Sequence, residues 1–238
     1  MEHRAVRHLP SFDPKAVPVV GVDRHLPTVP AWALTEDALR QRFAGPPPWS
    51  PEFVRERPFS DRAPAEAAVL IPIVLARDGK GLPNVLLTER TTHLSSHSGQ
   101  IAFPGGKVDE TDASMADAAL REAWEEVGLA AEFVDVLGTL PVYQTGSAYL
   151  VTPVVALVRE GFALRPNPHE VSSVFEIPLD FLMNPSNHRH HVVEWQGDRR
   201  EWLSIPYEQR LPGGERVERF VWGATAGMLR NLYRFLVA

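Results

Sequence analysis

One helical segment restricts the fold of this chain more than any other part of its sequence. In GGKVDETDASMADAALREAWEEVGL, which runs from Gly105 to Leu129, apolar side chains recur at helical spacing at Ala116, Leu120, Ala123 and Val127. These residues define one face that must pack against a core. Three glutamates lie on the other side of the same helix. The segment therefore predicts a helix that is half buried and half devoted to carboxylates.

The carboxylate face consists of Glu122, Glu125 and Glu126, which lie within an arc of roughly 100° on a helical wheel. Charged helix faces are usually only solvated. Here Glu122 and Glu126 are like charges at positions i and i+4, an arrangement that costs an isolated helix roughly 0.2–0.5 kcal/mol. Arg121 is placed to orient Glu125 and to relieve part of this repulsion. Oxygen ligands suit Mg²⁺ or Mn²⁺, so the pattern favours a divalent cation bound between these carboxylates and a phosphate.

Composition and charge exclude several classes of function. The 238 residues are 44% hydrophobic and carry a net charge of −6, so we expect one substantial core and no nucleic-acid polymer as a partner. The absence of cysteine excludes disulfides, thiolate metal sites and a cysteine nucleophile. The apolar run from Ala67 to Ala76 is about half of a membrane span and contains Pro72, and the first residues lack an apolar signal-peptide core. We therefore expect a cytoplasmic protein without membrane association, and a homodimer is compatible with these features.

The chain divides into two regions near residue 65. Residues 1–64 are rich in proline and contain one helix candidate, TEDALRQRFAG, with Thr35 as its N-cap and Gly45 as its stop. We interpret this region as a partly extended arm laid over a core, and a partly ordered tail is the alternative. Residues 65–238 alternate strand-like segments with the carboxylate helix and a terminal helix, GATAGMLRNLYRFLV. This pattern predicts an α+β domain over 65–238.

The carboxylate helix resembles the signature of the Nudix hydrolases. REAWEEVGL, from Arg121 to Leu129, matches the second half of the Nudix box, G-x5-E-x7-R-E-U-x-E-E-x-G-U with U aliphatic, if Ala123 is the first U. The first half departs from that pattern, because five residues lead from Gly106 to Asp112 instead of glutamate, and eight more lead to Arg121. This longer box resembles the coenzyme A pyrophosphatase branch, as do the segments LLTERTTHLSSHSGQIAFPGGK, NPHEVSSVFEIPLDFL and WGATAGML.

The resemblance implies a Nudix fold, with a mixed β-sheet between helices, and a metal-dependent diphosphatase. The implied reaction is hydrolysis of coenzyme A, or of its acyl or oxidised forms, to phosphopantetheine and adenosine 3',5'-bisphosphate. The implied cofactor is Mg²⁺ or Mn²⁺, and the partner is a small-molecule nucleoside diphosphate. Two alternatives stay open: a Nudix hydrolase of another derivative such as ADP-ribose or a dinucleotide, and a non-catalytic Nudix-like binding module.

The residue pattern and the resemblance together indicate candidate site residues. Metal binding is expected of Glu122, Glu125 and Glu126. Catalytic roles are expected of Glu122 and Glu125, and of two further residues: Arg121, and Glu170 in the turn-rich RPNPHE, which can orient or deprotonate the attacking water. The candidate substrate-binding residues, which lie before or within the glycine pair, are Arg90, His97, Gly105 and Gly106.

Overall fold

The chain folds around two β-sheets, as shown by a computed structural model that describes residues 13–58, 62–76, 81–91, 99–195 and 198–238. Within these ranges the larger sheet contains β2 (Ala65–Val74), β3 (Asn84–Arg90), β4 (Ile101–Ala102), β5 (Gly105–Lys107), β6 (Val134–Thr139), β7 (Tyr143–Gln144), β8 (Tyr149–Val158) and β9 (Val171–Pro178). The smaller sheet contains β1 (Val19–Val22), β10 (Arg189–Trp195), β11 (Asp198–Arg210) and β12 (Arg216–Trp222). The α-helices in the described ranges are α1 (Glu36–Ala44), α2 (Met115–Val127), α3 (Leu179–Leu182) and α4 (Gly223–Val237). The predicted α+β class is confirmed.

The larger sheet is mixed, with its main strands in the order β4-β3-β2-β8-β6. Strands β2 and β8 run parallel at its centre, whereas β5 pairs antiparallel with β2 and β9 pairs antiparallel with β3. The smaller sheet is antiparallel, in the order β1-β10-β11-β12. Because β5 and β9 both pair with strands at or beside the centre of the larger sheet, the segments that precede α2 and β9 reach the same region.

Capping residues define the ends of helices α1 and α2. The Thr35 hydroxyl accepts a hydrogen bond from the backbone of Ala38 at the start of α1, as the sequence predicts. At the start of α2 the Ser114 hydroxyl accepts one from the backbone of Asp117 at 3.1 Å. Helix α2 ends at Gly128, whose φ of 70° lies in the left-handed region that glycine adopts without strain. These caps fix the length of the carboxylate helix and so the position of its glutamates.

Each face of the larger sheet is covered by a separate apolar cluster. Helix α2 packs on one face, where its buried alanines and Val127 contact Leu70, Leu86 and Val154. The opposite face contacts α4, the smaller sheet and the N-terminal region, through buried residues that include Ile71, Leu87, Val155, Leu34, Leu39, Leu203 and Leu232. Among the helices that the structure describes, none is long and apolar enough to cross a membrane.

A buried ionic network joins distant parts of the chain around Arg230, which is 2% exposed. Its Nε and Nη2 donate to the Glu52 carboxylate at 2.8 and 3.2 Å, and its Nη1 lies 3.0 Å from Asp23. The same Nη1 donates to Nδ1 of His188 at 3.0 Å, while Nε2 of His188 bonds the carbonyl of Leu182. Burial, with a further contribution from the Arg230 cation, lowers the pKa of His188 to about 4.

Acidification should destabilise the fold through His188. The unfolded side chain takes up a proton near its ordinary pKa of 6.5, whereas the folded ring stays neutral down to about pH 4. The contribution to the free energy of unfolding is therefore complete above pH 6.5 and is lost as the pH falls from 6.5 towards 4. Urea unfolding over this range should show a shallower pH dependence in His188→Gln than in the unsubstituted protein. The exposed His25 gives the control, since His25→Gln should keep the full slope. An unchanged slope in His188→Gln would contradict the assignment.

Candidate active site

The glycine pair before α2 lies in close contact with both the sheet and the carboxylate helix. Gly105 and Gly106 pair with Val69 and Ala68 of β2. A Cβ atom at Gly105 would lie 2.4 Å from the Ala68 carbonyl oxygen, and one at Gly106 would lie 2.5 Å from the Glu122 carboxyl group. Only glycine allows the backbone to pass between β2 and this carboxylate. The pair therefore forms one wall of the site.

Arg121 gathers the polar groups at the outer side of α2. Its Nε and Nη2 donate to the two carboxylate oxygens of Asp112, each at 3.0 Å. Nη1 donates to Glu122 at 3.0 Å and to Glu125 at 3.2 Å, and Nη2 also donates to the carbonyl of Lys107. These bonds raise the pKa of Arg121, and they hold the pKa of the Asp112 carboxyl below its usual range. Arg121 thus orients Glu125, as the sequence predicts, but its strongest partner is Asp112.

In the sequence, Asp112 marked only the longer form of the Nudix box, and its pairing with Arg121 was not predicted. A planar guanidinium matches the two oxygens of a carboxylate, so an acidic residue at the start of the box is a reasonable partner for the arginine near its end. The signal was present in the sequence as an aspartate at the position of the expected glutamate. The pair closes the loop between β5 and α2.

Glu126 is the most deeply buried of the carboxylates, at 3% exposed. The backbone N–H of Gly105 lies 3.4 Å from its Oε2, and Nη1 of Arg90 lies 3.6 Å from its Oε1. Burial raises the pKa of Glu126 to about 7, against the lowering effect of Arg90 and Gly105, and the charges of Glu170 and Glu122 raise it further. Glu126 is therefore a carboxylate whose charge is poorly compensated by the protein alone.

Glu122 has the same character in a weaker form. Partial burial raises its pKa, Arg121 opposes that shift, and the charges of Glu125 and Glu170 add to it. The charge of Glu122 raises the pKa of Glu126, and the charge of Glu170 raises the pKa of both. Glu122 and Glu126 therefore form an anionic pair beside the glycines. Buried oxygen donors with excess negative charge fit a divalent cation such as Mg²⁺ or Mn²⁺. Among the residues that the structure describes, no group of three or more acidic or histidine side chains is arranged so that it could hold a metal ion by itself.

Arg90 brings a cation to the other side of the carboxylates. It ends β3, and its Nη1 atom lies beside Glu126. Its buried Nε atom has no hydrogen-bond partner within the described ranges. A buried N–H group without a partner is costly, so native proteins rarely keep one without a ligand or a function. The structure therefore places Arg90, a predicted substrate-binding residue, against the candidate metal ligands with donor capacity to spare.

Glu170, the candidate chosen outside the Nudix box, also comes to this region. Its side chain accepts a hydrogen bond from Nδ2 of Asn167 at 3.2 Å, and its carbonyl accepts one from the backbone of Thr91. The backbone of Asn167 in turn donates to the carbonyl of Glu126, which ties this loop to the end of α2. The charge of Glu170 acts on both Glu122 and Glu126. Asn167 carries no motif of its own, and the sequence reasoning missed it.

One predicted residue, Glu125, stands apart from Glu122 and Glu126. The side chain of Glu125 is 54% exposed and is held by Arg121 on the solvent side of α2. His97 lies outside the described residues. The residues that the structure brings together are Glu122, Glu126, Arg90, Glu170 and the glycine pair.

Comparison with known proteins gives one consistent result. The NUDIX domain family matches residues 64–215. The Nudix hydrolase NudL of Shigella flexneri serotype 5b (strain 8401) is 44% identical over 180 residues, which cover 74% of this chain and 86% of that protein. NudL of Escherichia coli O1:K1 / APEC is 45% identical over 168 residues, covering 70% and 80%. A solved structure, the Nudix hydrolase RenU of M. smegmatis, is 27% identical, with a TM-score of 0.40 over 54% of this chain and 74% of that one.

The glycine wall provides a direct test of the site. Gly106→Ala should lower hydrolytic activity by roughly tenfold or more, because the new methyl group must displace the Glu122 carboxylate, and small displacements of catalytic groups are costly. The midpoint of thermal unfolding should change little, since the clash falls on the end of a flexible side chain. Gly213→Ala is the matched control, because a Cβ atom at Gly213 meets nothing within 4 Å. Equal activity of the two variants would remove Gly106 from the site.

Proposed function

The chain belongs to the Nudix hydrolase family, and from this premise we propose that it hydrolyses the diphosphate bond of coenzyme A to phosphopantetheine and adenosine 3',5'-bisphosphate. Family membership establishes a diphosphate-hydrolysing enzyme that acts on a nucleoside diphosphate derivative. The observation that carries the finer proposal is the longer box with Asp112, a form that resembles the coenzyme A pyrophosphatase branch. The geometry supports this proposal, because Arg121 donates to both carboxylate oxygens of Asp112 across that longer loop.

Nudix hydrolases generally use divalent metal ions, and we assign Mg²⁺ or Mn²⁺ to Glu122 and Glu126, with Glu125 as a third ligand from the solvent side. The charge excess on the buried Glu126 and the partly buried Glu122 supports this assignment. A backbone carbonyl of Gly105 or Gly106 is the candidate fourth donor. When bound, such an ion would offset the charge of the diphosphate and lower the pKa of a water molecule.

The protein groups around this position divide the remaining work. Glu170 orients a water molecule and accepts its proton as the water oxygen attacks phosphorus, and the bond from that phosphorus to the bridging oxygen breaks. Asn167 fixes the Glu170 carboxylate in place. Arg90 binds a phosphate oxygen with the Nη and Nε donors that Glu126 does not satisfy. His97 stays a candidate for substrate binding.

The substrate is identified most directly by a panel of diphosphates. Purified protein with saturating Mg²⁺ is incubated with coenzyme A, dephospho-coenzyme A, ADP-ribose and a dinucleotide, and the products are identified by mass. We expect the highest kcat/KM for coenzyme A. Equal efficiency on ADP-ribose or the dinucleotide would replace the coenzyme A proposal with a broader diphosphatase.

Replacing Glu122 or Glu126 should remove activity without unfolding the protein. Glu122→Gln and Glu126→Gln should each lower turnover on coenzyme A by about 100-fold or more, because each loses a charged ligand for the ion. Titration calorimetry with Mn²⁺ should show weaker binding in both variants. The exposed Glu132 supplies the control, and Glu132→Gln should behave as the unsubstituted protein does. Near-normal turnover in either carboxylate variant, with Mg²⁺ saturating, would sink the metal assignment.

Arg90→Ala separates recognition from catalysis. The Michaelis constant for coenzyme A should rise by about 10- to 100-fold, as expected for the loss of one charge-assisted contact of roughly 1.5–3 kcal/mol. If Arg90 contacts the 3'-phosphate, dephospho-coenzyme A should show little further loss in the variant. If Arg90 contacts the diphosphate, both substrates should lose equally. Arg24→Ala, at an exposed arginine, should leave both unchanged, and an unchanged Michaelis constant in Arg90→Ala would exclude substrate contact.

A further inference from the structure

A β-bulge lies at the point where β3 and β9 enter the active site. Glu89 pairs with Ser173, but the next residue, Arg90, pairs with Val171, so Ser172 is an extra residue on β9. The Ser172 hydroxyl donates to the carbonyl of Glu89 at 3.0 Å and lies 3.5 Å from that of Arg90. Bulges of this kind redirect side chains and are common beside active sites.

The bulge reverses the alternation of side chains along β9. Val171 and Val174 are three residues apart and would face opposite sides of a regular strand, yet both pack in the cluster under α2. Beyond Val174, Phe175 belongs to the cluster on the other face. The extra residue therefore determines how the chain enters the site at Glu170 and which residue lies opposite Arg90.

The bulge is held from the face of the sheet opposite α2. Arg219 of β12, in the smaller sheet, is only 9% exposed. Its Nη1 donates to the Glu89 carboxylate at 2.7 Å and to the Ser173 hydroxyl at 3.1 Å, the two residues that pair on the regular side of the bulge. Its Nε donates to Gln209 at 2.8 Å, and its guanidinium lies 4.1 Å from the ring centre of Phe175. The orientation of Arg219 is thus fixed from three sides.

Glu89 and Arg90 are neighbours on one strand and point to opposite faces. Glu89 is directed to Arg219 and Arg90 to Glu126 on α2. A shift of the β3–β9 register would break the Arg219 contacts on one face and displace Arg90 and Glu170 on the other. The smaller sheet is therefore coupled to the active site through β3 and β9.

We propose that Arg219 is a positioning residue for the hydrolytic reaction, which holds Glu89 and Ser173 so that the bulge at Ser172 sets Arg90 and Glu170 in place. The inference rests on the roles proposed above for Arg90 and Glu170. Arg219 itself acts from the far side of the sheet. Through Arg219, the reaction depends on the smaller sheet as well as on the residues that line the active site.

The kinetic test compares Arg219→Met with Arg216→Met, a control on the same strand whose arginine forms an exposed pair with Glu208. Arg219→Met should lower kcat/KM by about tenfold, because both Arg90 and Glu170 lose their alignment. In an Arg90→Ala, Glu170→Gln background the same substitution should cost less than about twofold, since the groups that it positions are already gone. Arg216→Met should have no effect in either background. A loss of the same size in both backgrounds would show a general structural role and overturn the proposal.

Hydrogen exchange provides a readout that does not depend on the substrate. Arg219→Met should speed amide exchange in peptides covering residues 88–91 and 170–174 and leave residues 115–127 unchanged. If Arg219→Met does not fold, Arg219→Lys is judged by the same criteria, since it keeps the charge but loses the planar fork. Unchanged exchange in both peptides overturns the positioning role. Faster exchange together with normal activity of Arg90→Ala and Glu170→Gln would instead refute the roles assigned under the proposed function.

Discussion

The guanidinium of Arg121 allows several carboxylates to share one small region, and the active site depends on this. Asp112, Glu122 and Glu125 each accept hydrogen bonds from it. A planar group with five donors can satisfy three acidic partners and a carbonyl at once, which a lysine cannot do. Glu126 lies outside its reach and has a strongly raised pKa. The protein therefore compensates Asp112 and Glu125 through Arg121, compensates Glu122 only in part, and leaves Glu126 the shortest of positive charge.

The backbone of β5 supports the same arrangement from the side of strand β2. The glycine pair can approach Glu122 because it has no side chains, and β5 is held at that position by its pairing with β2. Strand β2 is itself fixed at the centre of the larger sheet by β8. A site that must hold a highly charged substrate is thus built on the central strands of the larger sheet, where small displacements are resisted.

Local patterns in the sequence predicted much of this structure. The spacing of Ala123 and Val127 identified the packing face of α2, and Thr35 identified the start of α1, because caps and helical periodicity are properties of neighbouring residues. Glu170 was proposed from its turn-rich surroundings, and the structure places it near Glu122 and Glu126. What was missed depends on pairing between distant segments. Strand β1 was missed, because it lies in the proline-rich region, where the sequence predicted one helix and otherwise extended chain. Nothing in the alternation of β10 shows that β1 joins it. The bulge at Ser172 is equally hidden in VSSVFEIP, because a register exists only between two strands.

The ionic network around Arg230 also bears on the order in which the chain is made. Asp23 and Glu52 emerge from the ribosome early, whereas their buried cation belongs to a helix that is synthesised much later. Until that helix is present, the buried Asp23 has no Arg230 to compensate its burial, and its carboxylate is more stable in water. The segment that contains Asp23 therefore reaches its native packing only after helix α4 has been synthesised. It completes the fold when the C-terminal helix docks.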